Sequence, residues 1–271
     1  MNRLAIIVAS GKIPRLVANR AFLQKKNPLI IGLKGQIDYN YPNFDLKIVS
    51  PGRVGKILKI IKENNCNKVL FCGKFNRPKI SEILPDKTAL KLLGKFFLSG
   101  DDVSLKKIKV FFEENNIKVQ SIRDYLGDRI VCEGLKIGKN VTKYEIESIK
   151  IGIKVLKSLG DLDVGQSVIV QQKRVLAIEC SEGTDNMIKR AKNLIDQKQK
   201  GLVFIKMSKT HQDKNQDIPV IGIKTIKNLH KSKIFKIAIE ANNCILADKY
   251  LDIKKVIEDL KMSLISVNYS S

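Results

Sequence analysis

Tryptophan is absent from this chain, and of its 271 residues two are histidine (His211 and His230) and five are cysteine. Two histidines are too few for a histidine-rich binuclear phosphoesterase centre. The cysteines, Cys66, Cys72, Cys132, Cys180 and Cys244, are odd in number and never spaced CxxC. That argues against a zinc ribbon or a disulfide framework and marks them as small core residues. No apolar run approaches the ~18 residues of a membrane-spanning helix. The opening MNRLAIIVASGKIP reaches glycine, lysine and proline too soon for a secretory signal, so the chain is expected to be soluble and cytoplasmic. No GxSxG elbow occurs and neither histidine has an evident partner cysteine, which leaves serine and cysteine nucleophiles without a signature.

Negative charge is also scarce, with 27 acidic against 50 basic residues and a net charge of +23. Nucleic-acid binding calls for cations gathered on one face beside stacking aromatics. Here lysine is spread from end to end and aromatics are 6%, so no nucleic-acid partner is expected. A diffuse positive field suits an anionic membrane surface or an anionic substrate. A plain compositional bias toward lysine, isoleucine and asparagine accounts for the charge as well.

What is present is an alternation of apolar runs and helical periods. LAIIV, PLIIGL, DLKIV and KVLFC are separated by helical segments, one of which has Val54, Ile57, Leu58 and Ile61 on a single stripe. This βαβ pattern predicts an α/β fold with a Rossmann-like N-terminal domain and a parallel sheet over residues 1–132. TALKLLGKFF and VSLKKIKVFFEENN read as two further helices with Asp101 and Asp102 in the loop between them, and IKVQSI as a last strand. Residues 133–143 are polar, glycine-containing and without period, which suits a linker. A second α/β domain is expected over 144–271. It opens with a helix whose Ile146, Ile149, Ile153 and Leu156 share a face and which Gly160 stops. Its strands are SVIVQ and RVLAI around a QK turn, GLVFIKM, FKIAIE, NCILA and SLISV; a helix capped by Thr184 or Asp185 follows the second of them.

Candidate chemistry falls in two regions. After the first strand, ASGKIP has a lone Gly11, weak as a dinucleotide fingerprint. It is either a phosphate loop using its N–H groups and Lys12, with Pro14 starting the helix, or a plain turn. After the fourth strand, CGKFNRP offers Gly73, Lys74, Asn76 and Arg77 at the carboxyl edge where open α/β sheets hold ligands; an exposed basic turn fits equally. In the second half, Glu179, Glu182 and Asp185 crowd together, and Asp213 and Asp217 sit four apart. Such carboxylates suit magnesium or manganese, and suit helix caps and solvated loops too.

IIVASGKIP, VGKILKIIKENNCNKVLFCGKFNRP, SGDD, LDVGQSVIVQQKRVLAIECSEGTDNMIKRA and KTHQDKNQDIPVIG, in that order, resemble the LpxI family of UDP-2,3-diacylglucosamine pyrophosphatases over nearly the whole chain. The resemblance implies hydrolysis of the pyrophosphate of an acylated UDP-glucosamine to UMP and lipid X (2,3-diacylglucosamine 1-phosphate) in lipid A biosynthesis. It implies Mg2+ or Mn2+ as cofactor and a cytoplasmic protein peripheral to the inner membrane. Two domains are implied, with an active cleft between them. The family's critical aspartate falls on Asp217, aimed by the rigid turn before Pro219, as catalytic residue and metal ligand, with Glu182 and Asp185 as metal partners. Gly11, Lys74, Asn76, Arg77, Gln166, Thr184, Lys209 and Gln212 are expected to bind substrate. Two departures stand out: Ala9 and Ser10 replace a glycine-rich loop, and Asn215 stands where the family commonly has arginine, leaving Lys209 or Lys214 to supply that charge. The alternative function is a nucleotide-sugar-binding module without hydrolysis, and a homo-oligomer is left open.

Overall fold

A computed structural model describes residues 3–75, 85–93, 101–210 and 218–268. The chain divides into two units, Met1–Gly127 and Asp128–Ser271, and each is α/β.

In the first unit, strand β1 (Arg3–Val8) lies at the centre of a sheet. It is followed by helix α1 (Ile13–Leu23), β2 (Leu29–Leu33), β3 (Asp45–Val49), α2 (Val54–Glu63) and β4 (Cys66–Cys72). Then come α3 (Lys87–Leu93), α4 (Asp101–Glu114), β5 (Lys118–Val119) and the short α5 (Arg123–Leu126). Among the described residues the sheet has five strands in the order β3-β2-β1-β4-β5, all parallel. A parallel sheet is covered on both faces, which is why β1, β2 and β4 read as nearly unbroken apolar runs. Ile57 and Ile61 of the predicted α2 stripe are buried against this core, with Val54 and Leu58 half-buried beside them. Asp101 and Asp102 begin α4 rather than lying in a loop; an acid in the first turn is favoured by the helix dipole, a tendency that loop-like composition conceals.

In the second unit the elements are β6 (Lys136–Gly138), α6 (Lys143–Asp161), β7 (Ser167–Gln171), β8 (Arg174–Ile178), α7 (Thr184–Ala191) and β9 (Leu202–Lys206). They continue as β10 (Val220–Ile221), α8 (Ile223–Lys231), β11 (Lys236–Glu240), β12 (Ile245–Leu246), α9 (Tyr250–Asp259) and β13 (Ser263–Val267). Among the described residues the main sheet runs β6-β13-β11-β9-β7-β8 and a small parallel pair joins β10 to β12. The β13, β11 and β9 strands are parallel, while β6, β7 and β8 join antiparallel. Period-two alternation sorts the side chains into two cores. Ile169, Phe204, Ile237, Ile239 and Leu264 meet α7, α8 and α9 on one face, and Val168, Val170, Val203, Ile205 and Ala238 meet α6 on the other.

Several local expectations change. Residues 133–143, read as a linker, carry β6, which pairs with β13 through Gly138, Ile137 and Lys136. Its signal was the buried alternation Leu135, Ile137, diluted by polar neighbours. The α6 helix starts in a capping box in which the Thr142 N–H donates to Glu145 at 2.5 Å. Ile149, Ile153 and Leu156 are buried on it, but Ile146 is exposed. Gly160 does not stop α6; it lies in the last turn, where a Cβ would come within 2.7 Å of Thr210 Oγ1. The QK turn is a two-residue hairpin with Gln172 and Lys173 both at positive φ, as the right-handed twist of its strands demands.

Of the five cysteines, Cys66, Cys72 and Cys244 are buried, whereas Cys132 and Cys180 are exposed and are not core residues. Burial raises the thiols of Cys66, to about 11, and of Cys244, to about 12, and raises that of Cys72 further. The thiolate is the reactive form. In the folded protein at about pH 8 a maleimide should therefore modify Cys132 and Cys180 quickly and the other three only after denaturation, as intact-mass spectrometry would read. Fast labelling of all five in folded protein would contradict this packing.

Candidate active site

Open α/β sheets place ligands beyond the carboxyl ends of their parallel strands, and in the second unit that edge collects an unusual set of buried polar groups. Lys206 ends β9 and is 5% exposed. Its backbone partner across the antiparallel ladder is Ser167, at the start of β7. Just past β8, the Glu179 N–H donates to the Ser167 carbonyl at 2.9 Å. This approach requires Gly165, where a Cβ would lie 1.9 Å from the Glu179 carbonyl oxygen.

The side chains close a circuit. Lys206 Nζ donates to Thr184 Oγ1 at 2.9 Å, Thr184 Oγ1 donates to Glu179 Oε1 at 2.8 Å, and Ser167 Oγ donates to Glu179 Oε2. Lys206 Nζ stands 3.7 Å from that same Oε2. Thr184 is therefore not the cap of α7: its hydroxyl is engaged with Glu179, and the cap position is taken by Gly183 with φ 78°, a left-handed conformation that glycine adopts freely.

A second buried acid, Glu240, ends β11 at the same edge. Its Oε2 accepts from both the N–H and the hydroxyl of Ser208 at 2.6 Å, and its Oε1 accepts from Asn243 at 2.6 Å. Lys209 pairs with Asp163, and Thr210 Oγ1 donates to the Lys157 carbonyl at 3.1 Å. The chain leaving β9 is thus pinned at three successive residues. The stretch KTHQDKNQDIPVIG re-enters just as firmly: Ile218 and Ile221 are buried, and the Pro219 carbonyl accepts from the Ile245 N–H at 2.8 Å.

Of the site residues expected from sequence, Thr184 and Lys209 lie at this edge with Gln166, whose carbonyl accepts from Met207 N–H at 2.9 Å. Glu182 and Asp185 are engaged elsewhere. Glu182 takes a 2.8 Å bond from Arg190, which holds its carboxyl below the usual carboxylate range, and Asp185 meets Lys224 at 3.3 Å and Thr225 at 3.4 Å. Gln212 and Asp217 lie outside the described residues, as do Asn76 and Arg77. Among the described residues no three of histidine, cysteine, aspartate and glutamate are grouped to hold a metal ion, and Asp217, the acid expected to join Glu182 and Asp185, lies outside them. Sequence reasoning passed over Lys206, Ser167, Glu240 and Asp163. For Lys206 the legible signal was a single charge at the end of an otherwise apolar strand, GLVFIKM; Glu240 also closes its strand, FKIAIE, but shares it with Lys236.

In the first unit, Gly11 and Lys74 come together because the turns after β1 and β4 are joined. The Ala9 N–H donates to Cys72 at 3.0 Å and the Lys74 N–H to Ser10 at 2.8 Å. Gly73, at φ 111°, lets them approach, since a Cβ there would meet the Ser10 carbonyl at 2.8 Å. Pro14 stands in the first turn of α1, where its missing N–H costs nothing. The Gly11 N–H is met by Asp38, with Oδ1 at 3.1 Å and Oδ2 at 3.0 Å.

Comparison with known proteins agrees over both units. A model of the LpxI N-terminal domain matches residues 3–129, and one of the LpxI C-terminal domain matches residues 132–265. The UDP-2,3-diacylglucosamine pyrophosphatase LpxI of Caulobacter vibrioides is 28% identical over 262 residues, covering 92% of each chain. A solved structure of N5-carboxyaminoimidazole synthase from Aspergillus clavatus is matched over 72% of this chain and 44% of that one. Its 10% identity and TM-score of 0.23 make it too distant to inform the fold. With both domains matched in order along almost its full length, this chain belongs to the LpxI family.

Proposed function

We propose that this chain hydrolyses the diphosphate bond of UDP-2,3-diacylglucosamine, yielding UMP and 2,3-diacylglucosamine 1-phosphate (lipid X), in lipid A synthesis. The observation that carries the reading is the succession of both LpxI domains over residues 3–129 and 132–265. The relative from Caulobacter, which covers the same span, bears the name of that activity.

Hydrolysis adds one water across the P–O–P bridge, and negative charge grows on the bridging oxygen as it departs with one phosphate. Groups fixed in advance around that oxygen stabilise it most. Lys206, held by Thr184 and Glu179 in a dry setting, is suited to this work, and Lys209 adds a second ammonium on the chain that leads toward Asp217. Asp217 orients the attacking water or binds a divalent ion. Magnesium or manganese, when bound, would offset diphosphate charge. Glu182 and Asp185, the other acids assigned to that ion, are in surface ion pairs of the kind worth about 0–1 kcal/mol and exchange partners readily.

The +23 charge supports weak attachment to anionic lipid at the cytoplasmic face, where a diacylated substrate resides. Among the described residues no helix is long and apolar enough to cross a membrane.

Purified protein in detergent should release UMP from UDP-2,3-diacylglucosamine with magnesium or manganese and stop when the metal is chelated; release unaffected by chelation would remove the ion from the proposal. Asp217→Ala should abolish turnover while the protein stays folded, and retained turnover would exclude Asp217 from the mechanism. Lys206→Met leaves Glu179 with its two hydroxyl donors but without its cation, so the protein should lose about 3–5 kcal/mol of stability; assayed well below its melting midpoint, its kcat should drop by roughly 10²–10³, the cost of losing one preorganised donor. An unchanged kcat would reduce Lys206 to a structural cation. Binding to anionic vesicles should weaken as salt is raised from about 0.05 to 0.5 M, and indifference to salt would count against electrostatic attachment.

A further inference from the structure

The most anomalous group outside the circuit just described is Arg129. It closes the short 3-10 turn Gly127–Arg129 at the start of the second unit, and its side chain is 10% exposed. A guanidinium carries five N–H donors that require acceptors once removed from water. Among the described residues, the acid facing Arg129 is Asp128, whose Oδ2 lies 3.9 Å from Nε on a carboxylate that is itself 52% exposed. Nη1 is buried and has no hydrogen-bond partner. The other buried ions nearby are treated differently: Lys206 has Thr184 at 2.9 Å, Glu240 has Ser208 at 2.6 Å, and Lys209 has Asp163. A buried charged donor left unmet is costly, and folded proteins leave such groups where an ion or ligand completes them.

The backbone locates Arg129 near the same sheet edge. Its neighbour Ile130 bridges Ile245, the Val131 N–H donates to Cys244 at 2.9 Å, and the Asn242 N–H donates to Val131 at 2.7 Å. These partners form the loop that follows β11 at its carboxyl end. Ile245 in turn pairs with Val220 and bonds the Pro219 carbonyl. Cys244 lies within electrostatic reach of both Lys206 and Glu240.

We propose that Arg129 is a substrate-binding residue whose buried Nη1 donates to a phosphoryl oxygen. The inference rests on the diphosphate-hydrolase reading and extends it to a residue outside the family motifs quoted above. Phosphate suits the site because a planar, always-charged guanidinium recognises tetrahedral oxyanions through parallel N–H bonds that a lysine does not reproduce. The phosphoryl group belongs either to the nucleotide or to the sugar 1-phosphate half of the substrate.

The test measures binding to full-length wild type, Arg129→Met and Arg129→Lys by calorimetry, using UMP, N-acetylglucosamine 1-phosphate, inorganic diphosphate and phosphate-free uridine. It is paired with the thermal midpoint of each ligand-free protein. Arg129→Met should melt at or above the wild-type temperature, since an unmet buried charge has been replaced by an apolar chain of similar length. It should nonetheless lose about tenfold or more in affinity for inorganic diphosphate and for one of the two phosphomonoesters, with uridine unaffected, as expected for a lost charge-assisted hydrogen bond. Arg129→Lys should recover part of that loss. The KM for UDP-2,3-diacylglucosamine should rise by a similar factor with kcat less affected. The half of the substrate concerned is read from whether UMP or the sugar phosphate loses affinity. Overturning results are a lowered ligand-free midpoint with unchanged phosphate affinity, or no phosphate binding by the wild type. If Arg129→Met does not fold, folded Arg129→Lys decides, and unchanged affinity there also overturns the proposal. A wild type that binds phosphate through Arg129 but releases no UMP would sink the hydrolase reading alone.

Discussion

Removing an ammonium and a carboxylate from water is the demand that organises the second unit. Lys206 and Glu179 are each too poorly solvated to stand alone, and a pair of buried ions stays favourable only when hydroxyls and N–H groups meet the remaining valences. Ser167 and Thr184 do so, but only if β7, β8, β9 and the start of α7 converge on one point. Convergence of backbone to that degree excludes a side chain at Gly165. Losing one partner from such a buried pair costs about 3–5 kcal/mol, so the circuit constrains its four elements as strongly as the apolar core beneath it.

Glu240 extends the same logic outward. Its two oxygens bind Ser208 and Asn243, so the chain leaving β9 starts from a fixed position. The small β10–β12 pair then receives the returning chain at Ile218 and Pro219. Ser208 to Thr210 and Ile218 to Ile221 are thereby both anchored to elements of this unit.

Much of the architecture was legible in the sequence because both sheets are built of apolar strands long enough to declare their period. The α2 stripe at Val54, Ile57, Leu58 and Ile61 and the hairpin around Gln172 and Lys173 are local patterns read without tertiary knowledge. The three-residue β6 was missed because its pairing with β13 is remote and its flanks are polar. At the site, local motifs led to Thr184 and Lys209 but also to Glu182 and Asp185, whose carboxylates face Arg190 and Lys224. Motif proximity along the chain does not report side-chain direction. Lys206 and Glu240 stand in the sequence as charges at strand ends, but their burial comes only from the assembled sheet. Arg129 carries no sequence signal at all, since one arginine among 50 basic residues is unremarkable until its donors are counted against its acceptors.

The pairing of β6 with β13 has a temporal consequence. Lys136 aligns with Ile265, so one edge of the second sheet is made from segments near the beginning and the end of that unit. A ribosome emits the first well over a hundred residues before the second, and the contact carries a large loop-closure entropy that later packing must offset. Until the last strand emerges, β11 also lacks its outer neighbour. The sheet is therefore completed only once β13 is available, and until then β11 presents an unpaired apolar strand edge of the kind that invites association.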